Sequence, residues 1–245
     1  MIPAERSKWF GWWFARDAKR RIERRFDRIV VRGLDVLTRA GQDGPVLVVA
    51  NHTSWWDPLV VVHLFWRIVP LEAYAMMDAR NLRALPFFRK VGAFGVDLQD
   101  AADGARAIRY ACKRLDKPGR LVWIFAQGRE VPITVRPLGF RPGAAEIARL
   151  ARRAIVLPCA LRYEMGSRPD PVLYLSFGEP VSLPAEQGRC TNVLEAAVTA
   201  ELERIEAVVV SGETSEFEPL YAKRDGTLSL LAIRALALLT RAPGR

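Results

Sequence analysis

The chain has 245 residues, and its 37 lysines and arginines outnumber 27 acidic residues, which gives a formal net charge of +10. Hydrophobic residues make up 50% and charged residues 26%, which excludes a disordered tail and a polytopic membrane protein. We find no apolar run near the ~18 residues that a membrane-spanning helix needs. Three widely spaced cysteines exclude a disulfide framework and a cysteine-rich zinc site, and favour a reducing cytoplasm. The basic excess favours an anionic partner, with simple solubility charge as the alternative.

The first 40 residues combine aromatic and basic side chains. Five tryptophans and phenylalanines fall within residues 9–14, and six basic residues follow within residues 16–25. Apolar residues from Ile22 to Leu37 recur at helical spacing and can form one stripe, so we expect two helical pieces. Indoles beside arginines are typical of amphipathic helices at a membrane interface. A helix that packs on the domain, with its charges in solvent, is the alternative.

From residue 41 to residue 215, apolar segments of strand length alternate with amphipathic helical segments. The strands we expect are PVLVVA, LEAYAMM, AFGVDL, RLVWIFA, AIVLPCALRYE and PVLYLSFGEP. This alternation predicts an α/β fold with a mixed, largely parallel sheet flanked by helices. A further amphipathic helix is expected over residues 216–245. The predicted organisation is therefore one α/β domain over residues 41–215 with amphipathic terminal helices over residues 1–40 and 216–245.

Only two histidines occur, His52 and His63. His63 falls in an apolar helical run and is expected to be a buried structural residue. His52 directly follows the first predicted strand of the domain, and Asp57 comes five residues later. Because ligand chemistry collects at the carboxyl ends of strands in such sheets, and a carboxylate can orient an imidazole, the two form a candidate general-base pair. The alternative is that Ser54-x-x-Asp57 is a capping box, or that Asp57 caps a helix that begins with Pro58.

The segment from Asn51 to Asp57, Asn-His-Thr-Ser-Trp-Trp-Asp, resembles the NHxSxxD block of the glycerolipid acyltransferases. This superfamily includes the lysophosphatidate and glycerol-3-phosphate acyltransferases. Segments similar to its further blocks follow in the same order: GAFGVD at residues 92–97, FAQGR at 125–129, FRPGAA at 140–145 and VLP at 156–158. The resemblance covers roughly residues 30–210. It is specific because several blocks occur in the same order as in the family, whereas one short motif alone would be a weak signal.

The resemblance implies that a fatty acyl group moves from an acyl thioester, on coenzyme A or acyl carrier protein, to a lipid hydroxyl such as that of 1-acylglycerol-3-phosphate. It implies no cofactor beyond this co-substrate, no metal and no covalent enzyme intermediate. His52 would deprotonate the hydroxyl and Asp57 would hold His52. The residues expected at the substrate are Asn51, Ser54, Gln127, Gly128, Arg129 and Arg141.

This sequence departs from the family pattern where the family binds the phosphate of the acceptor. Leu98 stands in place of an arginine and Gln127 in place of a glutamate. Arg129, Arg136 and Arg141 are candidate replacements. The departures favour an acceptor that is less anionic than lysophosphatidate or is bound differently, so a glycolipid or a carotenoid glycoside is an alternative acceptor.

A lipid acceptor implies peripheral attachment to the cytoplasmic face of the cell membrane, and residues 1–40 are the expected contact. The apolar segment 228–239 is the rival anchor. A non-catalytic membrane-surface protein is a further alternative, against which the intact His52 and Asp57 argue. Charge alone suggests a nucleic-acid binder, but the sequence has no recognisable module, so we expect no nucleic-acid partner.

Overall fold

The computed structural model describes residues 1–223, which form eight α-helices and eight β-strands. The helices are α1 (Lys8–Arg25), α2 (Leu34–Asp43), α3 (Asp57–His63), α4 (Ala79–Ala84), α5 (Phe88–Val91), α6 (Ala101–Arg114), α7 (Gly143–Leu150) and α8 (Gln187–Ser211). The strands are β1 (Arg28–Arg32), β2 (Val46–Ala50), β3 (Glu72–Asp78), β4 (Ala93–Val96), β5 (Arg120–Phe125), β6 (Ile155–Glu164), β7 (Val172–Phe177) and β8 (Glu218–Ala222). A π-helical turn, Leu64–Ile68, continues α3.

The eight strands of the described residues form one sheet in the order β4-β3-β5-β2-β6-β7-β1-β8. The strand β2 lies inside the sheet and is parallel to β5 on one side and to β6 on the other. Within residues 1–223, antiparallel pairing occurs between β6 and β7 and between β1 and β8. The predicted α/β fold with a mixed, largely parallel sheet is confirmed.

The sheet divides the apolar core into two sides, and β2 contributes to both. Val46, Val48 and Ala50 belong to one buried cluster. Leu47 and Val49 belong to the other. A strand covered on both faces has to be apolar throughout, and this is why the run PVLVVA has no polar residue. The loop that leaves β2 therefore starts at the carboxyl edge of the sheet, between two parallel neighbours.

The first 40 residues differ from the predicted pair of helices. The helix α1 ends at Arg25, and the apolar residues that follow do not continue it. Residues 28–32 form β1, which is parallel to β7 within the sheet. The β-branched run Ile29-Val30-Val31 suits a strand, and its burial in the sheet outweighs its helical spacing with Ile22.

The predicted C-terminal helix needs a related correction. Residues 218–222 form β8, which pairs with β1, so no helix begins at residue 216. The rest of that predicted helix, including the segment 228–239, lies outside the described residues. Because β1 and β8 belong to the same sheet as β2, the predicted limits at residues 40 and 215 do not separate structural units.

The helix α1 packs on the domain through one face and exposes the other. Ala15 and Ala18 are fully buried in a cluster with residues of α3, α4 and α5. Gly11 lies so close to Trp66 that a Cβ at this position would be 2.2 Å from the indole ring. The opposite face leaves three indoles in solvent: Trp9, Trp12 and Trp13. No helix within residues 1–223 is long and apolar enough to cross a bilayer.

Candidate active site

The loop between β2 and α3 brings His52 and Asp57 together. His52 Nδ1 lies 2.7 Å from Asp57 Oδ2, which is a hydrogen-bonding distance. The same oxygen accepts the backbone N–H of Thr53 at 2.8 Å and that of Ser54 at 3.0 Å. Asp57 is fully buried. Its carboxylate is therefore oriented by the loop that also carries His52.

The capping alternative accounts for only part of the contacts at the start of α3. Asp57 and Pro58 open the helix, while Trp56 occupies the N-cap position and no side chain caps it. Ser54 Oγ accepts the N–H of Trp56 at 3.2 Å, and the Ser54 carbonyl accepts the N–H of Asp57 at 3.0 Å. Of the predicted capping box, only the bond from the Ser54 N–H to the Asp57 carboxylate forms, and the predicted substrate ligand Ser54 uses its hydroxyl within the loop.

A tyrosine that sequence reasoning missed holds the second oxygen of Asp57. The Tyr163 hydroxyl, at the end of β6, donates to Asp57 Oδ1. Burial, and next the negative charge of Asp57, raise the pKa of Tyr163 well above its usual range, so the hydroxyl keeps its proton and stays a donor. The two residues are 106 positions apart and meet because β6 pairs with β2. No local pattern around Tyr163 signals this role.

The His52 ring is placed by Phe125 at the end of β5. The two rings stack with centroids 4.4 Å apart and an interplanar angle of 20°. The His52 side chain is 16% exposed. Because Nδ1 faces Asp57, Nε2 is the nitrogen left for a substrate. With the proton on Nδ1, Nε2 offers a lone pair, and the pair has the geometry of a general base with its orienting carboxylate.

Two predicted substrate ligands bind the backbone instead. The Asn51 side chain is fully buried and exchanges two hydrogen bonds of 2.9 Å with the backbone of Leu161. Gln127 Oε1 accepts the N–H of His52 at 2.6 Å, and Gln127 Nε2 donates to the Leu138 carbonyl at 3.1 Å. The prediction that Asn51 and Gln127 contact substrate is thus corrected, because each buried amide has its oxygen and its nitrogen engaged by main chain. They position the loop that carries His52.

Gly128 is the point at which three of the separate sequence blocks meet. It has φ +70°, a left-handed conformation that favours glycine. A methyl group on it would lie 3.1 Å from Arg141 Cδ and 3.5 Å from Leu98 Cδ1. Arg141 therefore lies beside the position where the family pattern has an arginine. Arg136 is turned to two carbonyls of its own loop. Arg129, the next residue along the chain, is exposed and forms no ion pair with any residue between 1 and 223.

Comparison with known proteins gives three findings. Residues 28–162 match the family model described as Acyltransferase. Over 127 residues the chain is 28% identical to the "Probable 1-acyl-sn-glycerol-3-phosphate acyltransferase" of Mycoplasma genitalium, an alignment that covers 49% of this chain and 46% of that relative. The chain thus matches less than half the length of this relative.

A crystal structure of the 1-acyl-sn-glycerophosphate acyltransferase PlsC from Thermotoga maritima is similar with a TM-score of 0.57. The similarity covers 80% of this chain and 79% of that chain at 19% sequence identity. At this identity the likeness is one of fold.

Proposed function

This chain belongs to the acyltransferase family, and on that premise we propose that it is an O-acyltransferase that moves a fatty acyl group from an acyl thioester to a lipid hydroxyl. The observation that carries the proposal is the 2.7 Å contact between His52 Nδ1 and the buried carboxylate of Asp57. The pair follows a central parallel strand, at the edge where α/β enzymes collect their chemistry.

His52 acts through Nε2. It takes the proton of the acceptor hydroxyl as the hydroxyl oxygen attacks the thioester carbonyl carbon. The tetrahedral intermediate collapses, the carbon–sulfur bond breaks, and the imidazolium returns the proton to the departing thiolate. The products are an ester and a free thiol, with no bond to the enzyme at any stage. Asp57 stabilises the imidazolium, and general-base catalysis of this kind contributes about 10²–10⁴-fold in rate.

The proposed acceptor is a phosphorylated lipid of the 1-acylglycerol-3-phosphate type, with its phosphate at Arg141. Arg141 is exposed, forms no ion pair within the described part of the chain, and lies beside Gly128. A guanidinium binds phosphate through two parallel hydrogen bonds. A neutral glycolipid is the second candidate acceptor, because Leu98 leaves this cluster with one cation fewer than the family pattern.

The reaction is proposed to take place at the cytoplasmic face of the membrane, with α1 as the contact. One exposed side of the first half of α1 carries two indoles and a guanidinium: Trp9, Trp13 and Arg16. Indoles favour headgroup depth, and each basic residue near an anionic surface contributes about 1 kcal/mol. This face can hold the enzyme at the bilayer that contains its lipid acceptor.

The proposed base is tested by comparing the chain's two histidines. His52→Gln should lower the rate of thiol release from acyl-CoA by about 10²–10⁴-fold, whereas His63→Gln should retain most of the activity. Asp57→Asn should also be slow, since an amide can donate to Nδ1 and favour the wrong tautomer. A folded His52→Gln protein with near-normal acyl transfer would exclude the mechanism. Reduced stability of Asp57→Asn with unchanged turnover would limit Asp57 to a structural role.

A further inference from the structure

A second basic surface lies beside the candidate active site, in a groove between α1 and the loop that carries His52. Its volume is about 490 Å³, within the range of about 300–1,000 Å³ that is typical of small-ligand pockets. Four arginines of α1 and two indoles of the loop line it: Arg20, Arg21, Arg24, Arg25, Trp55 and Trp56. The mechanism described above makes no use of this groove.

The charge of the groove is only partly compensated. The one acidic residue of its lining, Asp17, pairs with Arg21 at 2.6 Å, one helical turn along α1. Arg20, Arg24 and Arg25 form no ion pair with any residue between 1 and 223. Three guanidiniums thus face the groove without a protein partner. Guanidiniums in this state favour phosphate groups, which they bind in a bidentate manner.

The other wall of the groove is aromatic and held in place from behind. Trp56 packs edge-to-face on Phe26, with centroids 5.2 Å apart and an angle of 86°. Trp55 packs edge-to-face on Trp56, with centroids 5.6 Å apart and an angle of 83°. The residue Trp55 is nevertheless 56% exposed. An exposed indole face of fixed orientation is suited to stack on a planar ring.

The groove is close to the proposed base. Trp55 follows His52 by three residues, and three residues span at most about 11 Å. Arg141, the proposed ligand of the acceptor phosphate, does not line this groove and lies beside Gly128, the neighbour of the Gln127 that accepts the His52 N–H. A reaction between two substrates therefore has two separate basic groups available, Arg141 beside Gly128 and the arginines of α1 beside Trp55.

We propose that this groove binds the nucleotide portion of an acyl-coenzyme A donor, with its phosphates on the arginines and its adenine against Trp55. The inference rests on the proposed function, because it takes the donor to be an acyl thioester. Coenzyme A carries both a diphosphate with a further phosphate and a planar base, which match three unpaired guanidiniums and one exposed indole. An acyl carrier protein has no base for Trp55, and protein docking uses a broad surface of about 800 Å² per partner.

The test measures binding apart from turnover, in the absence of lipid. Coenzyme A and adenosine 3′,5′-bisphosphate are titrated calorimetrically into the full chain, into Arg24→Ala and Trp55→Ala, and into the control Arg109→Ala. Arg109 is an exposed arginine of α6 that does not line the groove. Each groove variant should raise the Kd of both ligands about tenfold, while Arg109→Ala should bind both ligands as the wild type does. The KM for acyl-CoA should rise in parallel, and the KM for acyl-pantetheine, which lacks the nucleotide, should not.

Unchanged coenzyme A affinity in both groove variants, or an equal loss in Arg109→Ala, overturns the proposal. A loss of binding to phosphatidylglycerol vesicles with unchanged coenzyme A affinity would identify a membrane contact, and a rise in KM for acyl carrier protein alone would identify a protein docking site. Both results also overturn it. The proposed function has its own readout. His52→Gln should bind coenzyme A normally yet fail to transfer acyl groups from either donor, and this result would uphold the function even where the groove variants have no effect.

Discussion

The Tyr163 hydroxyl donates to one oxygen of the Asp57 carboxylate while His52 Nδ1 lies on the other oxygen. The carboxylate is therefore bonded from both sides, by a residue of its own loop and by a residue at the end of β6. Because β6 is the parallel neighbour of β2, the pairing of the sheet itself aligns the proposed base with its orienting group.

Removing the Tyr163 hydroxyl should slow acyl transfer. Tyr163→Phe keeps the ring, which packs 5.8 Å from Phe26, and should lower kcat about tenfold, since a hydrogen bond to a charged group is worth about 1.5–3 kcal/mol. The acid limb of the pH–rate profile should move to higher pH, because a carboxylate with one donor fewer holds the imidazolium proton more strongly. Tyr174→Phe is the control, because Tyr174 of β7 also loses only a hydroxyl and its ring packs on Phe217. A slower enzyme with an unmoved acid limb would indicate a structural role only.

Restoring the family's glutamate at position 127 should harm the protein. The Gln127 amide accepts from His52 N–H and donates to the Leu138 carbonyl. In Gln127→Glu a carboxylate oxygen replaces the amide nitrogen and faces the Leu138 carbonyl oxygen, so that two buried acceptors meet without a proton between them. This should lower the free energy of unfolding by about 1–3 kcal/mol. Urea denaturation measures this loss, with the exposed Gln99→Glu as the matched control. Equal stability of Gln127→Glu and the wild type would contradict the positioning role.

The proposed phosphate ligand is tested by a substitution and its rescue. Arg141→Ala should raise the KM for 1-acylglycerol-3-phosphate about tenfold or more and leave a neutral acceptor unaffected. Adding Leu98→Arg should restore the affinity, because both side chains lie against Gly128. Arg109→Ala provides the control for a lost positive charge. The glycolipid alternative would be favoured if the wild type acylated the neutral acceptor as fast as 1-acylglycerol-3-phosphate and if Arg141→Ala left the KM for both acceptors unchanged.

The membrane contact is best tested by substitution, because deletion of α1 would uncover the buried residues packed on Ala15 and Ala18. Trp9→Ser with Trp13→Ser should abolish cosedimentation with anionic vesicles. High salt should release only part of the wild type, since screening weakens the arginine contribution but not the aromatic one. Met165→Ser with Val210→Ser, also exposed apolar positions, serves as the control. If truncation after residue 226 releases the protein and the tryptophan variant stays bound, the anchor lies at the other end.

His63 should make the fold sensitive to acid. Burial, and then the positive charges of Lys19 and Arg67, lower the pKa of His63 from 6.5 to about 4, against a smaller opposite effect of Glu23. Between these two pH values the unfolded chain binds a proton that the folded chain does not. The free energy of unfolding should therefore fall as the pH drops from 6.5 to 4, by roughly 3 kcal/mol.

The measurement is urea denaturation of the wild type and of His63→Gln at pH 7 and pH 4.5. The variant should lose less stability between the two values, because its neutral amide takes up no proton. Since other groups also titrate in this range, the difference between the two proteins is the quantity that counts. Equal losses would show that His63 is solvated enough to be protonated in the folded state.

The parts of the site that could be predicted are those with local patterns. The apolar run of β2 predicts a strand covered on both faces, and His52 and Asp57 share one short loop. The Tyr163 contact could not be predicted, because it depends on which strand lies beside β2. Asn51 and Gln127 illustrate a second limit. Their places in the sequence blocks are right, but the chain does not reveal whether an amide faces the ligand or the backbone.

The strand β1 escaped prediction for another reason. Ile29 lies seven residues after Ile22, a spacing that fits a helix, while a run of five residues between two helices is too short for period-two alternation to stand out. What decides its conformation is the pairing of β1 with β7 and β8, two segments that come at least 140 positions later in the chain. Distant partners of this kind leave no mark on the local periodicity.

The close approach of Gly11 to Trp66 has a mechanical consequence. The Trp66 indole donates to the Val91 carbonyl at 3.1 Å, and the Arg6 guanidinium lies 4.5 Å from its ring. The indole belongs to the turn that continues α3 and is held between α1 and the end of α5, so it ties α1 to the body of the protein. On a bilayer, any tilt of α1 is a tilt of the entire sheet. In the proposed membrane contact, the depth at which Trp9 and Trp13 settle would therefore set the height of His52 above the acyl chains, and the acceptor hydroxyl would be selected by its own depth in the lipid layer.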